Sequence, residues 1–182
     1  MRIAVYGGSF NPPHVAHQLA VTWVLATQPV DEVWVMPVPE HAFGKPLADF
    51  HHRVAMAELA VRHFGGRAKV STLEAELPRP TRTVETLRAL RARIQGVELS
   101  LVIGADILPE TVRWKGWEEI RATTGLVVMG RGGFPDVGGL VLPEVSSTQV
   151  RALLETGGAV DHLLDRAVVD YVTRHGLYRR AG

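Results

Sequence analysis

Arg2-Ile3-Ala4-Val5-Tyr6-Gly7-Gly8-Ser9-Phe10-Asn11-Pro12-Pro13-His14-Val15-Ala16-His17 is the stretch that decides the fold. Arg2 to Tyr6 reads as a short buried strand, apolar and partly β-branched. Gly7 and Gly8 let the backbone turn tightly and approach a ligand, because no Cβ stands in the way. Pro12-Pro13 stiffens the loop and excludes an early helix, since a residue before proline is pushed out of the αR region. Beyond it, Gln18 to Gln28 has helical spacing, so a helix starts near His17. A strand, a glycine turn and a helix N-terminus together aim amide N–H groups and a helix dipole at an anion, usually a phosphate.

Strand-like and helix-like stretches alternate along the remaining chain. Strands are expected at Glu32 to Pro37, Arg67 to Thr72, Glu98 to Ile103, Gly125 to Met129 and Leu140 to Leu142. Helices are expected at His51 to Phe64, with Val54, Ala57, Val61 and Phe64 on one face, and at Thr83 to Ile94, capped by Thr83. Shorter helices are expected at Glu118 to Thr123, Ser146 to Glu155 and Asp165 to His175. This alternation predicts an α/β fold. The expected form is a Rossmann-like parallel sheet with helices on both faces and a small C-terminal helical part, all in one domain over residues 1–182.

The 182 residues suffice to bury a real core, and 46% hydrophobic with 21% charged residues is the composition of an ordinary globular protein. A net charge of +1 gives no argument for nucleic acid or an anionic membrane. The absence of cysteine removes disulfides, thiol catalysis and thiolate-held metals. No signal peptide is read at the N-terminus, and no apolar run approaches the roughly 18 residues that span a bilayer. A cytoplasmic location is expected.

Ligands of open α/β sheets collect at the carboxyl ends of the strands, where the loops after the first, second, fourth and fifth strands gather. The glycine loop lacks the third glycine of the dinucleotide fingerprint, and Gly44-Lys45 is followed by Pro46, so it is no P-loop either. His14 and His17 can donate to phosphate oxygens or simply sit at the surface and cap the helix; no third ligand at helical spacing supports a metal. Ser146-Ser147-Thr148-Gln149-Val150-Arg151 fits a capping box and equally a polyphosphate cradle of hydroxyls and a guanidinium. Lys45 lies in a strand-end loop, as a solvated side chain or as an anion ligand. Asp106 can accept a ribose hydroxyl, bind Mg²⁺, or cap the next turn of chain. Trp114 and Trp117 can stack on an aromatic ring or serve packing. Arg82, just before a helix, is a candidate anion ligand.

Taken together, these residues resemble a known family. Gly7 to His17 looks like the glycine-rich, two-histidine motif of the nucleotidylyltransferase superfamily, and Ser146 to Arg151 looks like its Ser-Ser-Thr-x-x-Arg element. Thr81 to Leu87, Ile103-Gly104-Ala105-Asp106, Arg113 to Trp117 and the Val168 to Tyr178 ending resemble the bacterial nicotinate-mononucleotide adenylyltransferase branch. The resemblance implies transfer of AMP from ATP to nicotinate mononucleotide, with Mg²⁺ bridging the β- and γ-phosphates. It places His14 and His17 on the ATP phosphates as catalytic groups with Lys45 and Arg151. The Gly7, Gly8, Ser9 and Phe10 backbone would hold the α-phosphate region. Ser147, Thr148 and Arg151 would hold the β- and γ-phosphates, and Gly104 and Asp106 the ribose hydroxyls. Arg82, Thr83 and Trp114 would receive the pyridine carboxylate and ring.

Two positions depart from the branch. Arg82 stands where an aromatic residue is usual, and His41 to Lys45 reads His-Ala-Phe-Gly-Lys in place of a Pro-His-Lys step. On this resemblance the partners are ATP and nicotinate mononucleotide, with no nucleic acid and no membrane; a homo-oligomer is left open. Nicotinamide mononucleotide and phosphopantetheine are alternative acceptors, and a non-catalytic nucleotide-binding module is the alternative of a different class.

Overall fold

The computed structural model describes residues 1–40, 46–131 and 141–179. In chain order the elements are β1 (Arg2–Gly8), α1 (Val15–Thr27), β2 (Glu32–Pro37), α2 (Phe50–Val61), β3 (Ala68–Val70), α3 (Thr83–Arg93) and β4 (Glu98–Gly104). They continue as α4 (Leu108–Thr111), α5 (Trp117–Thr123), β5 (Gly125–Arg131), β6 (Val141–Leu142), α6 (Ser147–Thr156) and α7 (Arg166–Arg174). Short 3₁₀ turns at Arg62–Arg67 and Leu73–Glu76 flank β3.

One sheet of six parallel strands runs in the order β3-β2-β1-β4-β5-β6. The chain therefore winds outward in one direction from β1 to β3, then crosses back to β4 on the other side of β1. That reversal leaves a crevice above the carboxyl ends of β1 and β4, the place where such sheets bind ligands.

The alternation of side chains along each strand explains the layering. Ile3 and Val5 of β1, Met36 of β2 and Leu101 and Ile103 of β4 face one side, where α3 and α5 supply Val84, Leu87, Leu90, Trp117 and Ile120. Ala4, Val33, Val35 and Val102 face the other side, against Ala20, Val21 and Val24 of α1 and Ala57 and Val61 of α2. A one-residue slip of β1 would exchange the two sets, so the register is fixed from both faces. A third cluster joins Met56 and Ala60 of α2 to Val150 of α6 and to Val168 and Val172 of α7. This is the expected C-terminal helical part, anchored on α2. Among the described residues no helix is long and apolar enough to cross a membrane.

Several boundaries differ from the sequence reading. The helix of the glycine loop begins at Val15, ahead of His17, because His14 itself takes the extended N-cap conformation. Helix α2 buries Arg53, Met56, Ala57, Ala60 and Val61, a stripe rotated from the expected one; Val54 is only half-buried. Thr83 is not the cap of α3. Arg82 is extended there (φ −118°, ψ 145°), and its amide is satisfied by the Glu85 carboxylate at 3.2 Å. The short helix α4 has no counterpart in the sequence reading.

Candidate active site

The turn after β1 is held from all sides. Phe10 adopts a positive φ of 46°, a conformation costly to a bulky residue. Its buried ring packs edge-on to Tyr6 with centroids 5.6 Å apart, and that packing holds the turn. A side chain at Gly8 would press on the same ring, its Cβ falling 3.1 Å from Phe10, so anything larger than glycine would have to push the ring aside by a few tenths of an ångström. Asn11 is also buried; its Oδ1 accepts from Ala48 N–H at 3.1 Å and from the Tyr178 hydroxyl at 2.7 Å.

Helix α6 closes the turn from the far side of the sheet order. Ser147 Oγ donates to Pro12 O at 2.9 Å, and Arg151 Nη1 donates to Asn11 O at 2.8 Å. Arg151 Nη2 reaches Thr148 Oγ1 at 3.3 Å. Ser146 caps the helix, its Oγ accepting from Gln149 N–H at 3.2 Å while Gln149 Oε1 accepts from Ser146 N–H at 2.9 Å. The capping box expected from the sequence is therefore real, and the same turn of helix is tied directly to the glycine loop. Residues 135 to 140 positions apart form one surface.

The histidines form a close, tilted pair, with ring centroids 3.9 Å and planes 37° apart, and His14 is 5% exposed. His17 Nδ1 accepts the His14 backbone N–H at 3.0 Å, closing the first turn of α1 in the manner of a capping-box side chain. A ring nitrogen that accepts an amide proton carries none itself, so in the neutral ring the proton sits on Nε2. The Phe10 ring packs on His17 at 4.9 Å. The first amide of α1, Val15 N–H, is bonded to Leu163 O at 2.8 Å.

Beside this loop, across the β1–β4 crevice, lies an open cleft of about 550 Å³. Val38 and Pro39 after β2, Arg82 and Thr83 at the start of α3, and Trp114 line it. Trp114 is half-buried and meets the buried Trp117 edge-on at 6.0 Å. Glu74 also faces the cleft; it accepts from Thr86 Oγ1 at 2.9 Å, and burial holds its carboxyl above the usual carboxylate range. At the end of β4, the Asp106 carboxylate folds back over Gly104, where any Cβ would collide with it.

Residues 5–153 match the family model described as cytidylyltransferase-like. The chain belongs to that family. Curated relatives narrow the group. A probable nicotinate-nucleotide adenylyltransferase of Anaeromyxobacter dehalogenans is 46% identical over 97% of this chain and 96% of its own. One of Myxococcus xanthus is 43% identical over 98% and 95%. One of Thermus thermophilus is 36% identical over 98% of this chain and 100% of its own. Among solved structures, the nicotinic acid mononucleotide adenylyltransferase of Plasmodium falciparum, determined with NaAD, superposes with a TM-score of 0.81. It shares 20% identity and covers 97% of each chain, a likeness of fold.

In this cytidylyltransferase-like chain the structure brings Gly7, Gly8, Ser9, Phe10, His14, His17, Ser147, Thr148 and Arg151 together around one loop. It sets Arg82, Thr83 and Trp114 on the neighbouring cleft, with Gly104 and Asp106 at the end of β4. Lys45 lies outside the described residues. Sequence reasoning passed over Asn11, Arg53, Glu74 and Tyr178. Arg53 carried a signal: it falls three, four and seven positions before Met56, Ala57 and Ala60, on the buried stripe of α2. A charged residue at such a position needs a reason.

Proposed function

We infer that the chain transfers AMP from ATP to nicotinate mononucleotide, giving nicotinate adenine dinucleotide and pyrophosphate. The reading is carried by one juxtaposition. The Arg151-bearing helix start is hydrogen-bonded onto the glycine loop, next to a cleft large enough for a pyridine nucleotide. The near-full-length identity to nicotinate-nucleotide adenylyltransferases supports the choice of acceptor.

In this reaction an oxygen of the acceptor's phosphate attacks the α-phosphorus of ATP as the bond to the β-phosphate oxygen breaks. No protein nucleophile is needed. The enzyme's work is to place the two phosphates in line and to neutralise charge on the way. His17 presents Nε2–H as a donor to the reacting phosphate, with the His14 ring close beside it. Arg151 and the hydroxyl of Thr148 receive the β- and γ-phosphates. Ser147, in the first turn of α6, receives the same phosphates, and its hydroxyl, donating to Pro12 O, also holds the loop. Gly104 leaves room for Asp106 to take the ribose hydroxyls, and Thr83 with Trp114 receives the pyridine.

Among the described residues no three His, Asp or Glu side chains gather as a metal-holding group. A divalent ion, Mg²⁺ in our proposal, would arrive with the triphosphate held by Arg151 and Thr148 and would supply charge neutralisation there. A cytoplasmic location, beside the ATP pool, belongs to the same proposal.

The deciding experiment is Mg²⁺-dependent pyrophosphate release from ATP, with nicotinate mononucleotide, nicotinamide mononucleotide and phosphopantetheine offered separately. A much higher kcat/KM with the nicotinate substrate is expected. Preference for another acceptor would overturn the assignment of the cleft, and ATP binding without release on any acceptor would favour a binding module. Arg82 tests the acid preference in the same assay. A single exposed charge contributes about 0.2–1 kcal/mol, so Arg82→Ala should lower the nicotinate-to-nicotinamide ratio by roughly 1.4- to fivefold. An unchanged ratio removes Arg82 from acceptor choice.

A further inference from the structure

Arg53 is 1% exposed, the largest of the fully buried side chains. Among the described residues no carboxylate pairs with it. All its hydrogen bonds go to neutral backbone carbonyls: Nε to Ala48 O at 2.9 Å, Nη1 to Ser9 O at 2.9 Å and Val38 O at 2.8 Å, and Nη2 to Pro39 O at 3.0 Å. The guanidinium also lies over the Phe50 ring, 5.4 Å from its centroid. Burial draws its pKa down, and it is the lack of an ion-pair partner that makes this placement costly. A core position on α2 would accept a methionine or leucine without that cost, so the guanidinium has other work.

The acceptors define that work. Ser9 belongs to the glycine loop, whereas Val38 and Pro39 are walls of the cleft. Ala48 leads into α2 itself. One planar, rigid fork thus spans both halves of the site and fastens them to a single helix. We propose that Arg53 is a positioning residue that sets the distance between the phosphate loop and the acceptor cleft. In-line transfer depends on that distance more steeply than binding of either substrate alone, since a misplacement of about 1 Å can cost a hundredfold in rate. The uncompensated charge adds a second effect, a fixed positive potential beneath the loop that receives the triphosphate.

The inference rests on the two-substrate reading of the site. Its test is Arg53→Lys, which keeps the charge but loses the fork, so one ammonium cannot reach four carbonyls held by three separate nitrogens. ATP and nicotinate mononucleotide affinities are measured singly by calorimetry, and kcat at saturation of both. The expected result is each Kd within about threefold of wild type and kcat down at least thirtyfold, a fall set against the hundredfold cost of misplacement. Proportional weakening of both affinities with little loss of kcat, or kcat within threefold, overturns the proposal. A wild-type protein that releases no pyrophosphate with any acceptor instead overturns the functional reading. If the lysine variant does not fold, the wild-type protein decides. The ¹⁵N–¹H signal of Arg53 Nε must shift when ATP alone is added and again when nicotinate mononucleotide alone is added. A signal that answers to only one substrate, or to neither, refutes a link between the two halves.

Discussion

Replacing His17 by asparagine separates two roles that alanine would remove together. His17 Nδ1 accepts the His14 amide at 3.0 Å, and its Nε2–H is the group proposed to meet a phosphate. Asparagine places its Oδ1 close to where Nδ1 stood, so the amide bond survives and only the Nε2 donor is lost. Removing one preorganised donor from a developing phosphate charge costs about 2.7–4 kcal/mol, or roughly 10²–10³ in kcat. Losing the amide bond as well costs about 1 kcal/mol of folding stability, which for a chain of this size lowers Tm by roughly 2–4 °C. His17→Asn and His17→Ala should therefore lose kcat to a similar extent, while only the alanine variant loses Tm. Steady-state pyrophosphate release and thermal unfolding on the same preparations read both quantities. If His17→Asn keeps more than a third of wild-type kcat, the ring is a capping group and not a phosphate donor. If it loses Tm as alanine does, the tautomer assignment is wrong.

Gly104→Ala should displace the Asp106 carboxylate that a Cβ would strike. Losing one such hydrogen-bonding group is worth about 1–1.5 kcal/mol, so KM for ATP should rise roughly tenfold with a smaller change in kcat. An unaltered ATP saturation curve would remove Asp106 from nucleotide binding. Glu74→Gln keeps an acceptor for Thr86 while removing an ionisable group that burial holds above its ordinary range. A raised native pKa gives stability that is full below the carboxyl's ordinary value of about 4.3 and is lost as pH rises through the native value. The variant should thus melt higher than wild type at neutral pH, with the two curves converging near pH 4. Parallel melting curves across that range would contradict a buried, reluctantly ionised Glu74.

The parts legible in the sequence were those written in local periodicity. The two-residue alternation of Ile3, Ala4 and Val5 announces a strand covered on both faces, and Ser146 with Gln149 three residues on announces a helix start. Both motifs of the site lie on such local features, so their position at strand ends followed from the α/β alternation alone. What escaped was non-local or ran against type. Asn11 and Tyr178 meet across 167 positions, a pairing that no period encodes. Arg53 escaped because charge outranks position in a hydrophobic pattern, although the pattern itself puts it inside. Thr83 has the residue type of a cap, but Arg82 supplies the extended backbone and Glu85 the acceptor.

The bond from Tyr178 to Asn11 also has a meaning for synthesis of the chain. A ribosome makes Asn11 of the glycine turn 167 residues before it makes Tyr178. The turn therefore receives one of its anchors only after α7 has emerged and docked on α2. Growing chains would hold the Rossmann-like sheet well before they hold a finished nucleotide site. A completed site is in that sense a report that translation and folding have both passed Tyr178.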